Sequence, residues 1–150
     1  MTASPLEINA DGWANAARCL PSPNFDARPD EMPVELLVIH NISLPPSQFG
    51  GDWIDDLFLN RLDPLAHPYF ETIHTFRVSS HFLIKRDGSI TQYVSCNDRA
   101  WHAGASCWRD RTRCNDFAIG IELEGDDFSP FTDAQYTSLH ALTKAVLHRY

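Results

Sequence analysis

Long apolar runs are absent from this sequence. No stretch approaches the ~20 residues that a bilayer-spanning helix needs, so a membrane protein is not expected. Positive charge is also scarce. Twelve Lys and Arg stand against twenty Asp and Glu, a formal net charge of −8. Phosphate backbones and anionic lipid surfaces are held by a basic footprint, so no nucleic-acid or membrane partner is expected. The first residues, MTASPLEINADGWANAARC, offer neither a basic n-region nor an apolar h-region, and the expected compartment is cytoplasmic. Only four cysteines occur, at positions 19, 96, 107 and 114, with no C-x-x-C spacing. Without an export signal they read as reduced thiols. Internal repeats, a P-loop, a G-x-S-x-G elbow and an H-E-x-x-H zinc signature are all missing, which removes phosphate cradling and serine nucleophilic catalysis as starting hypotheses.

What remains is an ordinary globular composition, 43% hydrophobic and 21% charged over 150 residues, enough for one domain with a substantial core. The stretch that organises the chain is Glu35-Leu36-Leu37-Val38-Ile39-His40-Asn41. Its unbroken branched apolar run reads as a strand buried on both faces. The histidine at its mouth is rigidly held yet near the surface, a suitable place for a metal ligand. A Pro- and Gly-rich loop follows at 42–51, then a short amphipathic helix with Asp52 as N-cap and Trp53, Ile54, Leu57 and Phe58 at helical spacing. A short helix is expected near Trp13 to Ala17. Residues 80–85 and 89–94 flank Arg86-Asp87-Gly88 and predict a hairpin. Thr132-x-x-Gln135 is a capping box opening a final helix, with Tyr136, Leu139, Leu142, Val146 and Leu147 on its apolar face. Strands near 35–41, 80–94 and 117–124 with helices between and after give an α/β (α+β) domain, one mixed central sheet flanked by helices.

Two readings of Glu122 stay open. In Phe117-Ala118-Ile119-Gly120-Ile121-Glu122-Leu123-Glu124, alternation would turn both glutamates to solvent. A buried Glu122 would instead carry a raised pKa suited to a general base. Gly120 suggests close approach of another group. Of seven histidines (40, 67, 74, 81, 102, 140 and 148), His40 is the first candidate ligand. His81 and His102 are candidates for pocket lining, while His140 and His148 lie toward solvent on the last helix.

Several blocks together resemble one family: HNISLPPSQFGG at 40–51, LDPLAHPYF at 62–70, RVSSHFLIKRDGSITQYV at 77–94, RAWHAG at 99–104 and RCNDFAIGIELEG at 113–125. They look like the AmpD-type 1,6-anhydro-N-acetylmuramyl-L-alanine amidases, which are related to peptidoglycan-recognition proteins. The resemblance covers about residues 11–150. It implies a mixed sheet with flanking helices and a zinc held by two histidines and an aspartate, with His40 the first ligand. Glu122 would activate the water that cleaves the amide between the lactyl group of muramic acid and L-Ala, in cytosolic peptidoglycan recycling. Asn41, Tyr69 and Trp101 would line the sugar and lactyl side of a small muropeptide substrate, and Arg77 and Arg113 would meet peptide carboxylates; no protein partner is implied. The family's Gly-His…Lys-x-Asp-Pro-Gly segment, which carries the second histidine and the aspartate, has no counterpart in these 150 residues. The expectation is an amidase domain over 1–150 lacking that ligand-bearing segment. The alternative is a non-catalytic muropeptide-binding module of the same fold.

Overall fold

The protein is described by a computed structural model covering residues 5–150. Two short strands, β1 (Arg18–Cys19) and β2 (Phe25–Ala27), precede β3 (Leu36–Ile42). Helices α1 (Trp53–Phe58) and α2 (Pro68–Ile73) lead into β4 (Phe82–Ile84) and β5 (Ile90–Gln92). Next come β6 (Asp98–Ala100), β7 (Cys107–Trp108), β8 (Arg111–Thr112), β9 (Ala118–Glu124) and the long α3 (Asp133–Arg149). A five-stranded sheet runs in the order β1-β5-β4-β9-β3. β9 is parallel to both β3 and β4, β4 and β5 are antiparallel, and β1 is parallel to β5. This is the expected mixed sheet with flanking helices.

The β4–β5 hairpin turns where expected. Gly88 takes φ +84°, and its N–H donates to the Lys85 carbonyl at 2.9 Å. A left-handed backbone at that point favours glycine over any side-chain-bearing residue. The capping box also forms: Thr132 Oγ1 accepts the Gln135 N–H at 3.1 Å, and Gln135 Oε1 accepts the Thr132 N–H at 3.0 Å. Such a cap contributes about 1 kcal/mol to the helix it opens.

β9 is buried along its whole length. Ile119, Ile121 and Leu123 join Phe82, Ile84, Leu142, Ala145 and Val146 in the core beneath α3. The other face of the sheet meets α1 and α2 through Leu83, Tyr93, Ile54, Leu57, Phe58, Phe70 and Ile73.

Four expectations are corrected. β3 is an outer strand of the sheet and is only part-buried, with Ile39 43% exposed, so it is not sandwiched on both faces. No helix forms at Trp13 to Ala17; Gly12 at φ +81° turns the chain into an Ile8–Ala14 bridge, and β1 follows. In α3, Tyr136 and Leu147 face solvent, and Gln135 takes the core position. Its amide donates to the Ile84 and Glu124 carbonyls at 3.2 and 2.8 Å, which a leucine could not do. Asp52 precedes α1 but makes no side-chain cap; its carboxylate pairs with Lys85 at 3.2 Å.

Candidate active site

His40 and Glu122 are direct partners in the β3–β9 register, near the carboxyl ends of two parallel strands. Residues in register point to the same face of a sheet. In open α/β sheets the crevice beyond the carboxyl ends of the strands is the usual ligand site. Glu122 is buried, which overturns the alternation reading that set it in solvent. Its Oε2 has no hydrogen-bond partner among the described residues, and burial pushes the carboxyl up to about 8. A carboxyl with that pKa exchanges protons readily near neutral pH, as a general base must.

His40 is half-buried, and burial holds its pKa below the ordinary value. Its Nε2 lies 2.9 Å from Nδ1 of His102. His102 is itself pushed down to about 2, chiefly by burial, so its ring is neutral. The His102 ring occupies space that Gly120 leaves open: a Cβ on Gly120 would sit 2.5 Å from His102 Cγ. The glycine at 120 therefore serves a side chain of the site. The backbone of the His102 segment is fixed by Asn115, whose Oδ1 accepts the N–H groups of His102 and Ala103 at 3.1 and 2.9 Å. His81, by contrast, is completely buried. Its Nδ1 accepts the Gly120 N–H at 3.0 Å, and its Nε2 meets the Asp98 carbonyl at 3.0 Å.

A cleft of ≈ 310 Å³ opens at Glu122, walled by Ile42, Leu57, Phe58, Arg77, Val78, Ser79, Trp101, His102, Gly104 and Asn115. Arg77 is exposed; its guanidinium bonds only the Thr75 and Phe76 carbonyls and makes no ion pair among the described residues. Trp101 is held in place by its indole N–H, which donates to Asp26 Oδ1 at 3.1 Å. Asp26 is in turn gripped by Arg99 at 2.7 and 2.6 Å, and that guanidinium keeps its carboxyl below the usual range. Asn41 and Tyr69 line an adjoining cleft with Asp126, Asp127 and Phe128; Asn41 Nδ2 donates to Asp127 at 3.1 Å. Arg113 lies apart from the wall of the Glu122 cleft, on an exposed left-handed turn, ion-paired to Asp116 at 3.1 Å. The structure thus gathers Arg77, Trp101 and Glu122 around one cleft, places Asn41 and Tyr69 beside it, and leaves Arg113 outside.

A zinc site needs about three protein ligands and one open position. Among the described residues no group of three or more His, Cys, Asp or Glu side chains is placed to hold a metal ion. His40 brings one imidazole, and its Nε2 is taken up by His102. These residues do not by themselves fit a zinc. No helix among them is long and apolar enough to cross a membrane. Asn115, Asp26 and the His40–His102 contact were not predicted from sequence. Only RAWHAG, as a block beside Trp101, hinted at the last.

Residues 30–150 match the family model for N-acetylmuramoyl-L-alanine amidase. The 1,6-anhydro-N-acetylmuramyl-L-alanine amidase AmpD of Citrobacter freundii is 59% identical over 140 residues, 93% of this chain and 75% of that protein. The AmpD of Escherichia coli (strain K12) is 58% identical over 139 residues, 93% of this chain and 76% of that protein. The crystal structure of a Se-Met AmpD derivative superposes with a TM-score of 0.92 at 58% identity, covering 93% of this chain and 78% of that one. AmiD from E. coli, in complex with anhydro-N-acetylmuramic acid-L-Ala-D-gamma-Glu-L-Lys, matches with a TM-score of 0.53 at 27% identity, covering 97% of this chain and 52% of that one. With the family model spanning most of its length, and the fold and the sequence in agreement, the chain belongs to the N-acetylmuramoyl-L-alanine amidase family.

Proposed function

We propose that the protein hydrolyses the amide between the lactyl group of 1,6-anhydro-N-acetylmuramic acid and the L-alanine of the stem peptide, in cytoplasmic recycling of peptidoglycan. The observation that carries this reading is the buried Glu122 carboxyl with its bare Oε2, in register with His40 at the strand ends. Water adds to the carbonyl carbon as Glu122 accepts its proton. The same proton passes to the nitrogen as the C–N bond breaks, leaving a lactyl carboxylate and the free amine of L-Ala. Asn41, Tyr69 and Trp101 take the sugar and lactyl side in this proposal. Arg77, with no acidic partner of its own among the described residues, is suited to a peptide carboxylate. Arg113 has the same role only if a substrate carboxylate competes with Asp116.

Zinc dependence is part of the proposal, with His40 as the ligand contributed by residues 5–150. The experiment follows release of stem peptide from anhydromuropeptide with zinc added, with zinc chelated, and in Glu122→Gln. The expected result is release that needs zinc and falls at least ~100-fold in the variant. Retention of most activity by Glu122→Gln would remove the general base. Tight muropeptide binding with no turnover, zinc present, would favour the non-catalytic binding module.

A further inference from the structure

His102 sits between two concavities. On one side it walls the Glu122 cleft; on the other it and His40 line a second hollow with Ser106 and Trp108. Its Nδ1 meets Nε2 of His40 at 2.9 Å, while its Nε2 is buried with no partner among the described residues. The ring is held by three independent devices: the absence of a side chain at Gly120, the Asn115 clamp on its backbone, and an edge-to-face contact with the buried His81 ring at 5.8 Å. So much fixing of one imidazole against another is more than packing requires.

We propose that His102 is a positioning residue that locks the ring of His40 in the tautomer carrying its proton on Nε2, leaving the Nδ1 lone pair of His40 free. Two neutral tautomer pairs fit a 2.9 Å contact. In one, His40 donates from Nε2 and both rings carry their proton on Nε2, the form an isolated imidazole prefers. In the other, His102 donates from Nδ1, both rings take the less favoured form, and a bare nitrogen lone pair of His102 is buried beside the carboxyl cleft. The first arrangement puts an N–H on that cleft wall instead and leaves no bare ring lone pair there. Which ring nitrogen bears the proton is set by the hydrogen bond that the other nitrogen makes. His40 is thereby prepared to offer one defined lone pair, turned in one direction, before any ligand arrives.

The inference rests on the reading of His40 and Glu122 as the reactive pair, but its test needs neither turnover nor metal. Long-range ¹⁵N–¹H correlation on the metal-free chain reads the tautomer of each ring directly. The expected pattern for His40 is a protonated Nε2 and a bare Nδ1, with well-separated nitrogen shifts. His102→Leu should collapse that separation toward the average of an exchanging ring. His102→Asn sets an amide oxygen near the place of Nδ1 and should restore the separation. Gly120→Ala, which drives the ring out without removing it, should reproduce the leucine result. A wild-type His40 protonated on Nδ1 overturns the assignment, even if no variant folds. An unchanged His40 signature in His102→Leu overturns the positioning role. Loss of hydrolysis in Glu122→Gln leaves both readings of the tautomer untouched, so this inference and the proposed function fail separately.

Discussion

Glu122 and Glu124 share one face of β9 and are both buried, but only Glu124 has its oxygens filled. It accepts the Gly50 N–H at 2.6 Å on Oε1 and the Arg86 N–H at 3.1 Å on Oε2, while Glu122 Oε2 is bare. One carboxylate ties the 42–51 loop and the hairpin to the sheet. The other is held in reserve at a cost in stability, a common signature of a functional group.

That cost is measurable. The Glu122 carboxyl rises from 4.5 to about 8 on folding. Between those values the folded state binds more protons than the unfolded one, so stability falls as pH rises through the window. Glu122→Gln cannot ionise. In the metal-free protein it should match wild type near pH 4.5 and exceed it by about 2–4 kcal/mol near pH 8. Denaturant melts at the two pH values read the difference. A variant less stable than wild type at pH 8 would show that the carboxylate has a partner in solution.

His81 acts in the opposite sense. Burial pushes its imidazole from 6.5 down to about 3, and the Arg28 guanidinium 3.4 Å from Nε2 adds to the effect. The unfolded chain takes up this proton near pH 6.5 and the folded chain does not, so stability is full above 6.5 and is lost as pH falls toward 3. The His81 ring signals should stay those of the neutral form from pH 8 to pH 4, while stability drops by up to about 1.4 kcal/mol per pH unit from this group. A ring that titrates near 6.5 in the folded protein contradicts the arrangement.

Arg77 is exposed on the wall of the Glu122 cleft and lacks an acidic partner among the described residues. Arg77→Ala should leave stability within about 0.5 kcal/mol of wild type, as surface changes away from packed features do. Affinity for a muropeptide bearing free peptide carboxylates should fall about 10-fold, the loss of one charge-assisted pair. Calorimetric titration with the intact muropeptide and with the sugar alone separates the two ends. An equal loss for both ligands would show that Arg77 does not read the peptide.

The sheet, the hairpin and the last helix were legible because each depends on local signals: an apolar run, an Asp-Gly turn, a capping box. Burial was not. β3 and β9 are comparable apolar runs, yet β9 is an interior strand and β3 an edge strand, a difference set by pairing across the chain. The alternation in β9 correctly separates Ile119, Ile121 and Leu123 from Gly120, Glu122 and Glu124, but the polar face is covered by loops and His102 where the pattern alone implies water. His40 and Glu122 were found by motif and brought together by register. Asp26 and Asn115, which hold Trp101 and His102, are short polar residues whose roles arise only from folding.

Asp55 carries the last test. It is a buried carboxylate inside α1, gripped by the Tyr93 hydroxyl on Oδ1 and by Arg18 at 2.8 Å on Oδ2. Burial and the Asp55 charge together hold the Tyr93 phenol far above its ordinary value, so it is a permanent donor. The pair links the helix beside the cleft to the residue that follows β5, and through Arg18 to β1. Removing only the hydroxyl, in Tyr93→Phe, leaves a buried carboxylate oxygen bare and should cost about 2–3 kcal/mol. Asp55→Ala strands the phenol and Arg18 and should cost at least as much. The double variant removes both halves of the contact, so its cost should fall short of the sum by at least about 1 kcal/mol. Strict additivity in denaturant melts would mean that the hydroxyl and the carboxylate do not meet, and that α1 is held to the sheet by apolar packing of Ile54, Leu57 and Phe58 alone.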